Sequence, residues 1–232
     1  SGPQADGPHH LSEDRLMVVT ATSAAKLATP FKDDGIAPAP GRRFHDAASG
    51  TWMVKVFPGE YYITSKQDET IVTILGSCVA ACIRDPVAGL GGMNHFMLPQ
   101  DATGHWGGDL KSTRYGNFAM EKLLNELLKA GARRERLEIK VFGGGNVTDM
   151  SNEVGTDNAE FVVRYLLAEN LRIAAQDLGG DYPRRIQYAP ATGKVVRKFL
   201  GTVDKYSITR EESEYASRLS EKKTGGEIEL FE

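Results

Sequence analysis

The chain has 232 residues, 28 lysines and arginines against 31 aspartates and glutamates (formal charge −3), and is 41% hydrophobic and 25% charged, the values of an ordinary soluble globular protein. A core on this scale removes roughly 70% of the unfolded surface from water, so no disulfide scaffold is needed, and the slightly acidic balance argues against nucleic acid as a partner. No apolar run approaches the ~20 residues that membrane insertion requires.

Taken in chain order, residues 1–50 hold five of the ten prolines and three of the five histidines, with no sustained hydrophobic period. They read as a mostly irregular extension with one short helix over Met17–Leu27. The opening SGPQADGPHH has neither the basic end nor the apolar stretch of a signal peptide, and the expected location is the cytoplasm. From Thr51 the sequence becomes that of a folded α/β domain. Strands are predicted over Trp52–Phe57 and Tyr61–Ser65 around a Pro58-Gly59 turn, then over the β-branched Thr70–Leu75. Val79–Arg84 and Leu90–Leu98 flank the turn sequence DPVAG. A helix is predicted over Tyr115–Lys129, with Phe118, Leu123, Leu124, Leu127 and Leu128 at helical spacing and Gly131 as its stop. Leu137–Phe142 is a strand, Asn158–Glu169 a second amphipathic helix, and Arg172–Ala175, Arg185–Ala189 and Val195–Leu200 are further strands, the last two joined through Ala191-Thr192-Gly193. From Lys205 onward twelve of twenty-eight residues are charged, and Thr209 with Glu212 forms a capping-box pattern that starts a short helix with only Tyr215 and Leu219 as an apolar edge.

The chemistry concentrates in TILGSCVAACIRDPVAGLGGMNHFMLP, residues 73–99. Cys78 and Cys82 are too few and too close for a metal site without other ligands, and neither metal nor cofactor is expected. Cys82 sits in mid-strand and reads as a small buried hydrophobe. Cys78 follows Gly76-Ser77 at a strand end, where bent backbone leaves N–H groups free to stabilise a thiolate or an oxyanion. With the turn centred between Pro86 and Val87, cross-strand partners have numbers summing to 173, and Cys78 faces His95. The pair reads as nucleophile and base. No carboxylate presents itself as orienter; Thr73 on the preceding strand and Asn94 beside His95 are the nearby polar groups, and Thr73 alone would be an ordinary strand residue. Gly91-Gly92 admits a close neighbour or forms a bulge. Gly143-Gly144-Gly145-Asn146 lacks the full spacing of a nucleotide loop and reads as a structural turn. His105-Trp106-Gly107-Gly108 reads as a flexible rim, and Arg133-Arg134-Glu135-Arg136 as a solvated face.

LGSCVAACIRDPVAGLGGMNHFMLP, with VTI ahead of it, FPGEYYIT upstream, KVFGGGNV, Gly155 and Asn158, and DLGGDYPRRIQYAPATGKVVRKF downstream, closely resembles the CheD family of chemoreceptor glutamine deamidases. The likeness spans roughly Arg42 to Leu200, which gives an N-terminal extension at 1–41, a deamidase domain at 42–204 and a charged, partly helical tail at 205–232. It implies an α/β (α+β) layered sandwich of mostly antiparallel strands with two main helices, similar to papain-like deamidase cores. It also implies hydrolysis of glutamine side chains on receptor signalling helices to glutamate and ammonia. The family's nucleophile, histidine and threonine fall on Cys78, His95 and Thr73; Gly76, Ser77 and Asn94 are the candidates beside them for shaping the oxyanion region. A CheC-type phosphatase is a further partner that the resemblance implies. Two other readings share these residues: a non-catalytic adaptor for that phosphatase or for receptors, and a thiol methylesterase acting on receptor glutamyl esters.

Overall fold

The computed structural model describes residues 17–19, 42–99, 110–147 and 154–221. Its strands are β1 (Met17–Val19), β2 (Arg43–Asp46), β3 (Thr51–Lys55), β4 (Glu60–Thr64), β5 (Glu69–Leu75), β6 (Val79–Asp85), β7 (Leu90–His95), β8 (Glu138–Gly143), β9 (Ile173–Leu178), β10 (Arg184–Ala189) and β11 (Lys194–Phe199). Among the described residues three α-helices join them: α1 (Leu110–Lys129), α2 (Val154–Ala168) and α3 (Thr202–Glu221). Two sheets form, one in the order β1-β11-β10-β5-β3-β2 and one in the order β4-β7-β6-β8-β9. Every pairing among these strands is antiparallel except β3 with β5 and β8 with β9, so the expected mixed sandwich of mostly antiparallel strands is what the chain builds. Among the described residues no helix is long and apolar enough to cross a membrane.

Alternation along the strands divides the core into two layers. Val79, Ala81 and Ile83 of β6 face outward, onto Met120, Leu123 and Leu127 of α1 and Phe161, Val162 and Leu166 of α2. Cys78, Ala80 and Cys82 face the other way, onto Val54, Ile71, Leu75, Ile186 and Tyr188 of the first sheet. Both helices end in a left-handed residue, Gly131 after α1 and Asn170 after α2. In each case the next residue's N–H reaches back to a carbonyl of the last turn (Ala132 to Leu127, Leu171 to Leu166). Phe118, expected on the buried face of α1, is 60% exposed and stacks under the Lys122 ammonium.

Two local expectations, the start of the chain and the β6–β7 register, are corrected. Met17–Val19 is a strand on β11 rather than the start of a helix. β3 and β4 flank the Pro58-Gly59 turn but do not pair, because the chain crosses between the sheets there. In the β6–β7 hairpin Cys82 faces Met93 and Val79 faces Phe96, so partners sum to 175. The Asp85 carboxylate accepts the N–H groups of Val87 and Ala88, which moves the turn centre one residue onward. The basic run after α1 is also less free than expected: Arg136 pairs with buried Asp85 and Arg134 with Glu169. His105–Gly108 lies outside the described residues.

Candidate active site

The register shift removes the direct opposition of Cys78 and His95. Yet a partner displaced by two residues returns to the same face of the sheet, and both side chains remain on the inner face, between the sheets. Cys78 is 0% and His95 3% exposed.

Gly76, Ser77 and Cys78 carry the chain from β5, in one sheet, to β6, in the other. Their carbonyls are all engaged from one side. Gly145 N–H donates to Gly76 O and Gly144 N–H to Cys78 O, each at 2.8 Å, and the Asn158 side-chain amide donates to Ser77 O at 2.9 Å. In a trans peptide the N–H points opposite to the carbonyl of the preceding residue, so pinning the oxygens of Gly76 and Ser77 aims the Ser77 and Cys78 amides the other way. The N–H groups of Gly76 and Cys78 converge on Glu212 Oε1 at 3.0 and 3.1 Å. Ser77 N–H and Oγ–H donate to Glu212 Oε2 at 2.9 and 2.6 Å. Convergent backbone donors of this kind form an anion-binding nest. The run 143–146 is therefore the structural turn expected, and it acts as the clamp of the Cys78 loop. Gly143 takes φ 111° and approaches the Cys78 carbonyl so closely that a Cβ would lie 2.1 Å from the oxygen. Gly155 admits the start of α2 against the Gly145 carbonyl in the same way.

The His95 ring is set by hydrogen-bond accounting. Thr73 Oγ1 lies 2.8 Å from Val56 O and 2.8 Å from His95 Nδ1. A carbonyl only accepts, so the single hydroxyl proton goes to Val56, and the hydroxyl oxygen accepts Nδ1–H. That tautomer leaves Nε2 with a lone pair, and Nε2 is buried with no hydrogen-bond partner among the described residues. Burial depresses the imidazole pKa to about 4, against the opposing pull of the Glu212 charge and the Val56 carbonyl. Burial also pushes the Cys78 thiol well up; the Glu212 charge and a hydrogen bond to its carboxylate add to the rise, and the Cys78 N–H opposes it. Thiol and imidazole are both neutral in this packing. A cleft of about 420 Å³ opens beside them, where the Val56–Pro58 segment, β5 and α3 meet, with Thr73, His95 and Glu212 in its walls.

The family model described as CheD chemotactic sensory transduction matches residues 97–199. A Rhodopseudomonas palustris protein is 52% identical over 190 residues, covering 82% of this chain and 89% of its own. Relatives from Thiobacillus denitrificans (55% identity, 81% of this chain and 94% of its own) and Hahella chejuensis (48%, 82% and 90%) are similarly close. The chain belongs to the CheD family. All three relatives carry the name probable chemoreceptor glutamine deamidase CheD.

Of the residues singled out in this CheD sequence, Cys78, His95, Thr73, Gly76 and Ser77 come together at the crossing between the sheets. Asn94 does not. Its Oδ1 accepts Ala81 N–H, and its Nδ2 donates to Ala119 O and Met120 Sδ, so it ties β7 to β6 and α1 on the opposite face and has no donor left for an oxyanion. Cys82 is packed in the core as expected, its pKa pushed up by burial. Two residues are missed by sequence reasoning. Asn158 enters only as part of the resemblance, although its buried amide holds both Ser77 O and Leu98 N–H. Glu212 reads as a capping-box residue, but α3 begins at Thr202, and Glu212 sits in its middle.

Proposed function

We propose that this CheD protein hydrolyses glutamine side chains on chemoreceptor helices to glutamate and ammonia, with Cys78 as nucleophile, His95 as base and Thr73 as the residue that fixes the imidazole. The supporting observation is the Thr73 hydroxyl: with its proton on Val56 O, it accepts from Nδ1 and leaves the unpartnered His95 Nε2 as the one basic nitrogen. The names of the close relatives supply the substrate class.

In the first half-reaction Nε2 takes the thiol proton and Sγ attacks the carboxamide carbon. The carbonyl oxygen becomes an oxyanion held by the N–H groups of Gly76 and Cys78. As the tetrahedral adduct collapses, the imidazolium gives its proton to the departing nitrogen, releasing ammonia and leaving a thioester. A water that loses its proton to Nε2 then attacks the thioester carbon, and the same nest holds the second oxyanion. Collapse expels the thiolate, which recovers the proton, and glutamate leaves.

The test is incubation with receptor signalling domains, comparing the unmodified protein with Cys78→Ala. Ammonia release and Gln-to-Glu conversion, mapped by mass spectrometry, are expected from the first and absent from the second. Methanol release from methylated receptor without ammonia would show an esterase, and receptor binding without either product would show an adaptor.

A further inference from the structure

No glutamine of another protein reaches a thiol that is 0% exposed. Seated against Cys78 is the carboxylate of Glu212, which takes the Cys78 N–H at 3.1 Å and is a glutamate side chain presented from an α-helix. The product of the deamidation is that same group on that same kind of element. We propose that α3 is a tethered product mimic: it fills the groove where the substrate helix docks, puts Glu212 where the modified side chain sits, and keeps the enzyme closed until it swings away. This rests on the deamidase reading and adds to it the orientation of the substrate helix and a restraint on turnover.

The fit is specific to a carboxylate. Glu212 Oε1 sits between the N–H groups of Gly76 and Cys78, the seat assigned above to the oxyanion, while Oε2 takes the N–H and hydroxyl of Ser77. All four donors are satisfied by two oxygens. A carboxamide in the same place keeps its carbonyl in the Gly76–Cys78 seat, but its NH₂ meets Ser77 N–H donor to donor, and only the Ser77 hydroxyl can turn to accept. The resting site thus favours the product form over the substrate form, as a built-in inhibitor should.

The seat of α3 also describes what docks there. Its buried stripe is Ile208, Glu212, Tyr215 and Ala216, the residues at i−4, i, i+3 and i+4 on one face of a helix. Tyr215 lies against Gly59, where an added Cβ would come within 2.6 Å of its hydroxyl, and that hydroxyl bonds Tyr115. A substrate helix seated likewise carries its glutamine with an apolar residue one turn before it, an apolar or aromatic residue at i+3 and a small residue at i+4. Leu219 packs half-buried beside this stripe, while Arg210, Glu211, Glu214, Ser217 and Arg218 are exposed. A helix held by so narrow a stripe is removable, and its tether through Leu200 and Gly201 gives it a local concentration of order mM against an incoming helix.

The experiment turns the mimic into a substrate. Glu212→Gln is isosteric, so it creates no cavity. The introduced glutamine is expected to revert to glutamate on standing without any receptor, at a rate independent of protein concentration, while the Cys78→Ala/Glu212→Gln protein keeps it. Intact-mass measurement and peptide mapping read both. In parallel, Glu212→Ala is expected to convert receptor signalling domains about tenfold or more faster than the unmodified protein. The proposal is overturned if Glu212→Ala is no faster, or if the introduced glutamine persists in a protein that converts receptor; the deamidase reading survives either result. If no form with Cys78 releases ammonia from any receptor domain and the introduced glutamine also persists, both fall.

Discussion

Thr73 and His95 belong to different sheets, and the 2.8 Å contact between the Thr73 hydroxyl and His95 Nδ1 joins them. In this site a hydroxyl backed by the Val56 carbonyl does what a carboxylate does in other triads: it selects the tautomer. It carries no charge, so it adds no Coulombic support for the imidazolium. Thr73→Val, which keeps the shape and removes the acceptor, is expected to lower kcat by about 10²-fold with little change in KM. Thr73→Ser should retain most of the rate. Steady-state ammonia release from receptor domains checks both.

The depressed His95 pKa has a sign for stability. The ring titrates near 6.5 in the unfolded chain and at about 4 in the folded one, so the unfolded state binds the extra proton between these values. Stability from the neutral ring is fully present above about pH 6.5 and is lost as pH falls toward 4, by on the order of 3 kcal/mol. Urea unfolding from pH 7 to 4, compared between the unmodified protein and His95→Gln, should show this slope only where the histidine is present.

Asn158 acts on the reaction through Ser77. Asn158→Asp keeps the acceptor for Leu98 N–H and loses the donor to Ser77 O. The Ser77–Cys78 peptide then loses its anchor, and the Cys78 N–H loses its aim. A fall of about 10–100-fold in kcat is expected, since loss of one whole oxyanion donor costs 10²–10³. KM should change much less, which a purely structural role for Asn158 would not produce.

Gly143→Ala adds a Cβ that would meet the Cys78 carbonyl at 2.1 Å, on a backbone with φ 111°. Neither partner is a flexible side chain, so the backbone must move. A loss of about 2–3 kcal/mol is expected in denaturant melts, with deamidation lost alongside. Gly131→Ala, at φ 102° but with open space around it, should cost stability without the disproportionate loss of rate.

Most strands and both core helices are legible in the sequence because β-branched runs, helical spacing and glycine stops are local signals. Pairing is less so. Nothing in the Pro58-Gly59 turn says that the strand after it enters another sheet. The β6–β7 register turns on one side chain, Asp85, choosing the N–H groups of Val87 and Ala88. Cys78 and His95 stand out by their chemistry, whereas Thr73 is indistinguishable from any β-branched strand residue until its hydroxyl is seen between Val56 and His95. Glu212 is hidden for a different reason. Its partners lie 134–136 residues away, and the Thr209–Glu212 spacing supplies a plausible local use for it.

The three residues that carry β5 into β6 make the reacting geometry a gauge of how the two sheets are stacked. Thr73 reports the position of one sheet, His95 that of the other, and Cys78 sits on the span between. A relative slide of about 1 Å, too small to unfold anything, is enough to cost a misplaced catalytic group 10²-fold. Packing substitutions between the sheets, such as Leu75→Ala or Ile186→Val, should therefore register in turnover at temperatures where the fold is still intact.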